Sequence, residues 1–348
     1  MRYPRACILP PDLLQSVARE LPPEQRAALL ATMDLDNSIR MLRAEAAGRQ
    51  GPQPQQAVGA VSNGVPQRSI FDQQHSTATV PGTLARAEGQ PPVADPSINA
   101  AYDNFGATYD FYWNVFQRDS IDDQGMPIAA MVHFGTKYDN AFWDGQGHMF
   151  FGDGSGPLFT DTTRSLDVIA HELTHGVTQF EANLTYSNQS GALNESISDV
   201  FGSLVKQYHL SQTADQADWL IGADIVGPLL SPALRSLKAP GTANTHDNQP
   251  ADMSKYVQTT RDNGGVHINS GIPNHAFYVL ATTLGGEAWK TPGTVWYDAL
   301  IDPGLKPNAT FSNFAALTLK QARYRFGRAS NEARAVQSAW DAVKVPLR

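Results

Sequence analysis

The chain has 348 residues, 41% of them hydrophobic and 17% charged, with a formal net charge of −8 at pH 7. This length and apolar content are enough to build two lobes around a sizeable core. The negative charge argues against nucleic acid as a partner. No window approaches the roughly eighteen uninterrupted apolar residues of a membrane-spanning helix.

The first 48 residues are predicted to be helical. Pro22 and Pro23 introduce one predicted helix, with apolar residues at helical spacing after them, and Asp36 is expected to open a second. Prolines interrupt the short apolar run near Met1 before it reaches the length of a signal-peptide core. No conventional secretion signal is therefore recognised, and we expect the protein to be cytoplasmic as made, or to be exported by a non-classical route.

The stretch from residue 49 to residue 67 is rich in Gly, Pro, Gln and Ala. Such a composition cannot bury enough apolar surface to fold alone, so this stretch is predicted to be a linker. A strand-rich part follows to about Gly154, interrupted by a helix predicted from Ile98 to Phe116, where aromatic residues recur at helical spacing. The last two helices are predicted over residues 311–326 and 331–343. A strand-rich part followed by a mainly helical part predicts the fold class α+β.

The most informative stretch is His171-Glu172-Leu-Thr-His175, which is followed later in the chain by Glu195. On a helix the two histidines are one turn apart and leave the same face, so both can bind one Zn²⁺. Hydrolytic zinc sites use three protein ligands and keep one position open, and two histidines with one carboxylate are a common set. Glu172 is not needed as a ligand and can act on the activated water.

The flanks of this motif predict a second helix packed against the first. Apolar residues at helical spacing lead into the motif and recur from Leu193 to Val205. Asp199 lies four residues after Glu195 on the same face, where its carboxylate can accept the second N–H of a ligating histidine. The alternative is that Asp199 is an ordinary solvated helix residue.

Three segments in order, His171-Glu-Leu-Thr-His175, Asn194-Glu-Ser-Ile-Ser-Asp199 and Asp262-Asn-Gly-Gly-Val-His267-Ile-Asn-Ser-Gly, closely resemble the thermolysin-like zinc endopeptidases. The resemblance runs from about Arg68 to the C-terminus. It implies a neutral endopeptidase that hydrolyses peptide bonds by a metal-activated water. It also implies two lobes, residues 68–185 and 186–348, with the zinc cleft between them.

The resemblance also implies a role for each residue of the site. These are the zinc ligands His171, His175 and Glu195, the general base Glu172, the pair Tyr186 and His267 that hydrogen-bonds the tetrahedral intermediate, and Asp262, which orients that histidine. A phenol O–H and an imidazole N–H are donors that a developing oxyanion requires. Without the resemblance, Tyr186 is a half-buried aromatic residue and His267 an ordinary loop histidine.

Substrate contacts follow from the same resemblance. Asn140 and Ala141 match an edge strand that pairs with an extended peptide, and Arg235 matches the arginine that binds the carbonyl just after the scissile bond. The walls of the following pocket are expected to be Val168, Ile221 and Leu234. Cleavage is then expected on the amino side of bulky apolar residues, although these three positions also suit ordinary core.

The chain departs from thermolysin where that family member holds a double calcium site. Asp167 and Asp218 persist, but Lys206, Leu220 and Ala223 stand where other carboxylates are expected, and Pro232 replaces an acidic position of another calcium site. Calcium needs six to eight oxygens and is repelled by an ammonium. We therefore expect the double calcium site to be absent, leaving one catalytic Zn²⁺.

The N-terminal 48 residues resemble the short propeptides of the protealysin-like subgroup, which open with an apolar Pro-Pro motif. Here Pro10 and Pro11 match that motif. The resemblance implies that this propeptide blocks the cleft until the enzyme cuts the linker itself; an accessory domain that stays attached is the alternative. Cys7 suggests a thiolate zinc ligand in the precursor, although a lone cysteine also suits a small buried apolar position.

Two other function classes are compatible with parts of the pattern. A peptide-binding protein on a protease scaffold needs the loss of a ligand, Glu172 or His267, and none is lost. A zinc aminopeptidase needs an acidic anchor for a free substrate amine, which the sequence does not identify. The expected partners are therefore peptide or protein substrates and the chain's own propeptide, with neither nucleic acid nor membrane.

Overall fold

The protein's structure is a computed structural model that describes residues 6–9, 11–47 and 64–347. All strands of the main sheet precede residue 152, and the C-terminal part is mainly helical. The strands are β1 (Ala6–Cys7), β2 (Arg68–Asp72), β3 (Thr83–Ala87), β4 (Ile128–Val132), β5 (Ala141–Trp143), β6 (His148–Phe151), β7 (Leu220–Ile221) and β8 (Arg235–Ser236). The helices are α1 (Pro11–Ala18), α2 (Pro23–Ala47), α3 (Pro96–Phe116), α4 (Leu166–Glu181), α5 (Asn188–His209), α6 (Asp262–Asn269), α7 (Gly271–Leu284), α8 (Thr291–Leu300), α9 (Phe311–Phe326) and α10 (Asn331–Ala342).

The main sheet has the strand order β1-β5-β6-β4-β2-β3. Strands β2, β4 and β6 are parallel, whereas β3, β5 and β1 each run antiparallel to a neighbour. Strand β1 comes from the N-terminus, so that Ala6 lies opposite Trp143 and Cys7 opposite Phe142. An edge strand offers unpaired backbone groups to an extended peptide. The chain's own N-terminus uses those groups of β5.

Helix α3 confirms the helix predicted from Ile98 to Phe116, with a start two residues earlier. Its N-cap is Asp95, whose carboxylate accepts the backbone N–H of Ser97 at 2.9 Å and of Ile98 at 3.4 Å. Pro96 occupies the first turn, where no backbone N–H is needed. The local sequence thus specifies where this helix begins.

The two helices predicted around the metal motif are α4 and α5, which pack closely. A Cβ atom at Gly202 of α5 would lie 2.5 Å from the carbonyl oxygen of Asp167 in α4. The close approach therefore requires glycine at this position. The apolar stripe of α5 is fully buried and consists of Leu193, Ile197, Val200, Phe201 and Leu204.

The C-terminal lobe confirms the last two predicted helices as α9 and α10. A capping box between Thr310 and Asn313 starts α9. In the core of the lobe the rings of Trp296 and Trp340 stack with their centroids 5.6 Å apart. Among the described helices, none has both the length and the apolar composition needed to cross a bilayer.

The N-terminal segment, residues 6–9 and 11–47 of the described chain, docks on the rest of the protein. The prediction of two helices after Pro22 is wrong, because α2 is one continuous helix. Asp36 resembles an N-cap in sequence, but its carboxylate is used in contacts with Tyr138 and Asn140 instead. The buried side chains that join the main core are Ile8, Leu9, Leu13, Leu14, Val17, Leu21 and Leu29.

Candidate active site

The structure brings the expected metal ligands together between α4 and α5. The Nε2 atoms of His171 and His175 are 2.9 Å apart, and each lies 3.5 Å from an oxygen of Glu195. All three side chains are buried. Among the described residues they form the one cluster of at least three histidine, cysteine or acidic side chains whose ligand atoms converge within 4.8 Å.

The surroundings of the two imidazoles suit a divalent metal. Asp199 Oδ1 lies 2.9 Å from Nδ1 of His171, and Nδ1 of His175 lies 2.7 Å from Asn194 Oδ1 and 3.0 Å from Ser198 Oγ. Such partners favour a proton on Nδ1 and leave the Nε2 lone pair for a metal. Burial lowers the pKa of His175 to about 3, so this imidazole is neutral, which is the ligand form. The donor set therefore fits Zn²⁺.

Asn194 and Ser198 are functional candidates that the sequence reading missed. Both lie on α5 within the segment around Glu195, so their proximity to the motif was visible. The sequence did not show which histidine nitrogen they contact, because that contact depends on how α5 packs against α4. They hold His175 as Asp199 holds His171.

Glu172 has a fully buried carboxylate. Neither of its oxygens has a hydrogen-bond partner among the described residues. Burial raises its pKa to about 8 with the protein groups alone, and a divalent cation nearby lowers the pKa of such a group. A buried carboxylate with a raised pKa beside the candidate ligand cluster is suited to accept a proton.

His267 is held by Asp262 from two sides. One oxygen of Asp262 accepts the backbone N–H of His267 at 2.8 Å, and the other lies 2.6 Å from its Nδ1. Asp262 and the following three residues all have positive φ, and this left-handed turn sets the carboxylate toward the ring. The Tyr186 hydroxyl lies 3.1 Å from His267 Nε2 and donates to Glu195.

Arg235 is paired with Asp199 and reaches the N-terminal segment. Its Nη2 and Nε donate to the two oxygens of Asp199 at 2.7 and 2.9 Å, and Nη1 donates to the carbonyl oxygen of Ile8 at 2.8 Å. Asn274 donates to the same carboxylate at 2.9 Å. Asp199 therefore connects His171, an expected zinc ligand, to the arginine expected to bind substrate, and it is buried and paired rather than solvated.

Asn140 and Ala141, the residues expected to bind a substrate backbone, contact the N-terminal segment. The backbone N–H of Ile8 donates to the carbonyl oxygen of Ala141 at 3.2 Å, and that of Leu9 donates to Asn140 Oδ1 at 3.1 Å. The occupant is the N-terminal segment. The expected pocket walls, Val168, Ile221 and Leu234, are all buried and belong to the same core cluster as Ile8 and Leu9.

Cys7 is buried in the N-terminal segment. Its thiol donates to the carbonyl oxygen of Leu9 at 3.3 Å, and its own carbonyl oxygen lies 2.8 Å from His267 Nε2. Cys7 is not a member of the converging ligand cluster of the described residues. Pro10 lies outside the described residues, and Pro11 is the first residue of α1.

Lys206 contacts the two acidic residues that were matched to calcium ligands, Asp167 and Asp218. Its ammonium lies 2.8 Å from Asp167 and 3.1 Å from Asp218, and it donates to the carbonyl oxygen of Leu220 at 2.8 Å. These acidic groups raise the pKa of Lys206 against the lowering effect of burial. The lysine is therefore charged and partnered inside the fold.

The chain matches two family models along most of its length. "Thermolysin metallopeptidase, catalytic domain" matches residues 62–179, and "Thermolysin metallopeptidase, alpha-helical domain" matches residues 182–345. The chain is 46% identical over 351 residues to an "Extracellular metalloprotease" from Pectobacterium carotovorum subsp. carotovorum, covering 99% of this chain and 98% of that protein. It is 41% identical over 301 residues to an "Extracellular minor metalloprotease" from Serratia marcescens, covering 82% of this chain and 80% of that protein.

A solved structure is similar over the same extent. The "Precursor of Protealysin, Metalloproteinase from Serratia proteamaculans" matches with a TM-score of 0.87 and 45% identity, covering 98% of this chain and 100% of that one. The match includes the N-terminal segment, so the chain is a zymogen with a propeptide. The predicted fold, with a strand-containing first lobe and a helical second lobe, is confirmed.

One expectation is corrected by the relatives. The localisation expected from the sequence, cytoplasmic as made, is wrong, because two of the similar proteins are named extracellular. That expectation rested on the lack of a recognisable signal-peptide core, which is a weak basis for placing a protein. With these motifs, this fold and these relatives, the chain belongs to the thermolysin metallopeptidase family and is a zinc metalloendopeptidase.

Proposed function

We propose that His171, His175 and Glu195 hold the catalytic zinc of this endopeptidase and that Glu172 is its general base. The observation that carries the proposal is the convergence of the three buried ligands beside a buried carboxylate that has no hydrogen-bond partner among the described residues. A zinc ion with a purely structural role does not require a further carboxylate beside its ligands. Such an acid is costly to bury and is found where chemistry requires it.

The remaining groups have separate tasks in peptide hydrolysis. Zinc in such a site supplies Lewis acidity and lowers the pKa of water. Glu172 accepts the proton of the attacking water and passes it to the leaving amine. His267, oriented by Asp262, and Tyr186 donate hydrogen bonds to the carbonyl oxygen as it becomes negative.

We further propose that the enzyme prefers bulky apolar residues after the scissile bond. Support comes from the burial of Val168, Ile221 and Leu234 in the main hydrophobic core, and from Arg235 Nη1, which donates to the carbonyl oxygen of Ile8. Apolar walls discriminate strongly against a charged side chain, because burying an unpaired charge is expensive. Asn140 and Ala141 then bind the peptide backbone.

We propose that residues 1–48 are an inhibitory propeptide, that residues 49–67 contain the processing site, and that the lobes are residues 68–185 and 186–348. The N-terminal segment covers the edge of β5 and contacts Arg235 and His267, so substrate cannot enter beside it. Self-cleavage in the linker releases the mature enzyme, which acts outside the cell as its relatives' names state for them. Whether the Cys7 thiol also binds zinc stays a hypothesis: unchanged latency and zinc retention in Cys7→Ser would contradict it.

We propose that this enzyme does without calcium beside the zinc cleft. The ammonium of Lys206 contacts Asp167, Asp218 and the carbonyl of Leu220. It thereby neutralises two acidic groups that resemble calcium ligands and adds a charge that repels the cation. Stoichiometric calcium retained through gel filtration contradicts this proposal.

One experiment tests the enzyme proposal. Zinc-loaded precursor and its Glu172→Ala variant are incubated at neutral pH, followed by mass spectrometry, and assayed on a quenched peptide. We expect the parent to process itself within residues 49–67 and to hydrolyse the peptide, and the variant to bind zinc but to lose about 100-fold to 10,000-fold in rate. Equal activity of the two proteins excludes Glu172 as the base. Zinc lost only from His171→Ala or Glu195→Ala supports the ligand set.

A further inference from the structure

The N-terminal segment lies in the cleft in a defined direction and register. The backbone of Cys7 and Ile8 continues antiparallel along β5, with Ile8 donating to Ala141 and Leu9 donating to Asn140. The Ile8 contact uses a main-chain carbonyl of the edge strand, as strand addition does, and the Leu9 contact uses the side-chain amide oxygen of Asn140. The segment therefore binds as a peptide substrate binds, rather than as a bulky plug.

Two carbonyl groups fix which bond faces the catalytic groups. The carbonyl oxygen of Cys7 lies 2.8 Å from His267 Nε2, and because a carbonyl only accepts, the imidazole donates. The next carbonyl, that of Ile8, accepts from Arg235 at 2.8 Å. In the proposed function, His267 binds the carbonyl that is attacked and Arg235 binds the one after it. The bond between Cys7 and Ile8 is then the bond in the scissile position.

The side chain after this bond also fits the proposed preference. Ile8 is bulky, apolar and fully buried, and like Val168, Ile221 and Leu234 it is part of the main hydrophobic core. We propose that the propeptide is itself a substrate, and that the enzyme hydrolyses its Cys7–Ile8 bond when the N-terminal segment has been separated by the cut in the linker. This inference rests on the proposed function of the site.

The reaction is an ordinary amide hydrolysis. Water adds to the carbonyl carbon of Cys7, the C–N bond to Ile8 breaks, and Glu172 passes the proton of the water to the leaving nitrogen. The products are a carboxylate on Cys7 and an amine on Ile8, and no other reactant is needed.

The fold gives a reason to expect this bond to stay intact in the uncut precursor. The Cys7 thiol donates to the carbonyl oxygen of Leu9, which bridges the two sides of the bond. On the far side, Ser16 Oγ lies 2.7 Å from His246 Nδ1, and Asp36 is bound to Asn140. Both new ends are therefore held in place after a cut, and held ends rejoin readily because their effective concentration is high. Dissociation of the segment removes this protection.

Hydrolysis of the Cys7–Ile8 bond makes activation irreversible, because the shortened segment no longer inhibits the mature enzyme well. A segment that begins at Ile8 has lost the pairing of β1 with β5 and the contact of the Cys7 carbonyl with His267. Losing backbone hydrogen bonds in a buried cleft weakens binding. The shortened segment is expected to inhibit mature enzyme at least about tenfold less well than residues 1–48.

The test uses the full-length Glu172→Ala precursor as substrate and a trace of active enzyme. We expect mass spectrometry to show the linker cut first and then a fragment starting at Ile8. Synthetic peptides of residues 3–14 serve as matched controls that need no folding: Ile8→Leu is expected to be cut at the same bond, and Ile8→Asp about 100-fold more slowly.

Two outcomes would overturn this inference and leave the proposed function standing. In the first, active enzyme cuts the linker and a quenched peptide but leaves the Cys7–Ile8 bond intact. In the second, it cuts the synthetic peptides at another bond. Enzyme that hydrolyses nothing refutes both the inference and the proposed function. A fragment starting at Ile8 that inhibits as well as residues 1–48 refutes irreversible activation.

Discussion

Asp36 of the N-terminal segment accepts a hydrogen bond from Asn140 Nδ2 at 2.9 Å, while Asn140 Oδ1 accepts the backbone N–H of Leu9 at 3.1 Å. The same carboxylate accepts the Tyr138 hydroxyl at 2.5 Å and is buried. An amide held through its NH₂ group has its oxygen aimed in a fixed direction. Helix α2 therefore orients the side chain that binds the blocking strand.

This contact predicts that Asp36→Asn weakens latency. The variant keeps the size of the side chain but loses the charge that strengthens both hydrogen bonds. With a loss of about 1–2 kcal/mol, the zinc-loaded precursor should mature roughly 5-fold to 30-fold faster, as measured by the half-life of the uncut chain. Asp34→Asn, an exposed neighbour on the same helix, is the control. Equal half-lives for the two variants would rule out a role for Asp36.

Lys206 gives a prediction about calcium and stability. Lys206→Ala leaves Asp167 buried without its charged partner, which should cost about 3–5 kcal/mol in the free energy of unfolding. The parent's melting temperature should not respond to added millimolar calcium, whereas Lys206→Glu should gain a calcium-dependent rise. Lys290→Ala is the control, because Lys290 is exposed and its ion pair with Glu287 lies at the surface.

Calorimetry on the inactive Glu172→Ala background checks both points without self-digestion. A parent protein that is stabilised by calcium contradicts the prediction, as does a Lys206→Ala variant that is as stable as Lys290→Ala.

The geometry of the candidate metal site was predictable from sequence because it is local. His171 and His175 are one helical turn apart, and Glu195 and Asp199 lie one turn apart on the next long helix, so helical periodicity alone placed each pair on one face. The packing of α4 on α5 then follows from apolar stripes that are visible in the sequence. The roles of Tyr186 and His267 came only from the resemblance to a family.

The contacts of the N-terminal segment were not predictable from periodicity. Arg235 reaches Ile8 and Asp36 reaches Asn140 across more than a hundred residues, and no local pattern encodes such pairs. Asp36 was misread for the same reason: Asp followed by Asn and Ser is typical of a helix start. Its carboxylate was instead used across the interface, and tertiary contact overrode the local signal.

Asp262 should act through His267 rather than through the substrate. Asp262→Asn keeps an acceptor for the backbone N–H of His267 but loses the charge beside Nδ1. We expect kcat of mature enzyme to fall about 10-fold to 100-fold with KM little changed, because the lost stabilisation arises only as the oxyanion forms.

Steady-state kinetics on a quenched peptide separates kcat from KM. Asp215→Asn, at an exposed position, is the control and should leave both constants unchanged. A rise in KM at constant kcat would mean that Asp262 shapes substrate binding instead.

His133 predicts a loss of stability at alkaline pH. Its Nδ1 lies 2.7 Å from Asp153 and its Nε2 2.9 Å from Asp95, and His75 packs edge-on against its ring. The hydrogen bond to Asp153 and the charge of both carboxylates raise the pKa of His133 to about 9 against the lowering effect of burial. The folded-state pKa exceeds the unfolded value of about 6.5. The contribution is therefore complete below about pH 6.5 and is lost as the pH rises through about 9.

The measurement is the melting temperature of the Glu172→Ala precursor and of its His133→Gln derivative between pH 6 and pH 10. Below about pH 6.5 the His133 protein should be the more stable of the two, and the difference should shrink toward zero above about pH 9. His209→Gln, which changes an exposed histidine at the end of α5, should track the parent at every pH. A difference between the His133 protein and its derivative that is constant across the range contradicts the prediction, because a pH-independent loss reports packing and not the charge of His133.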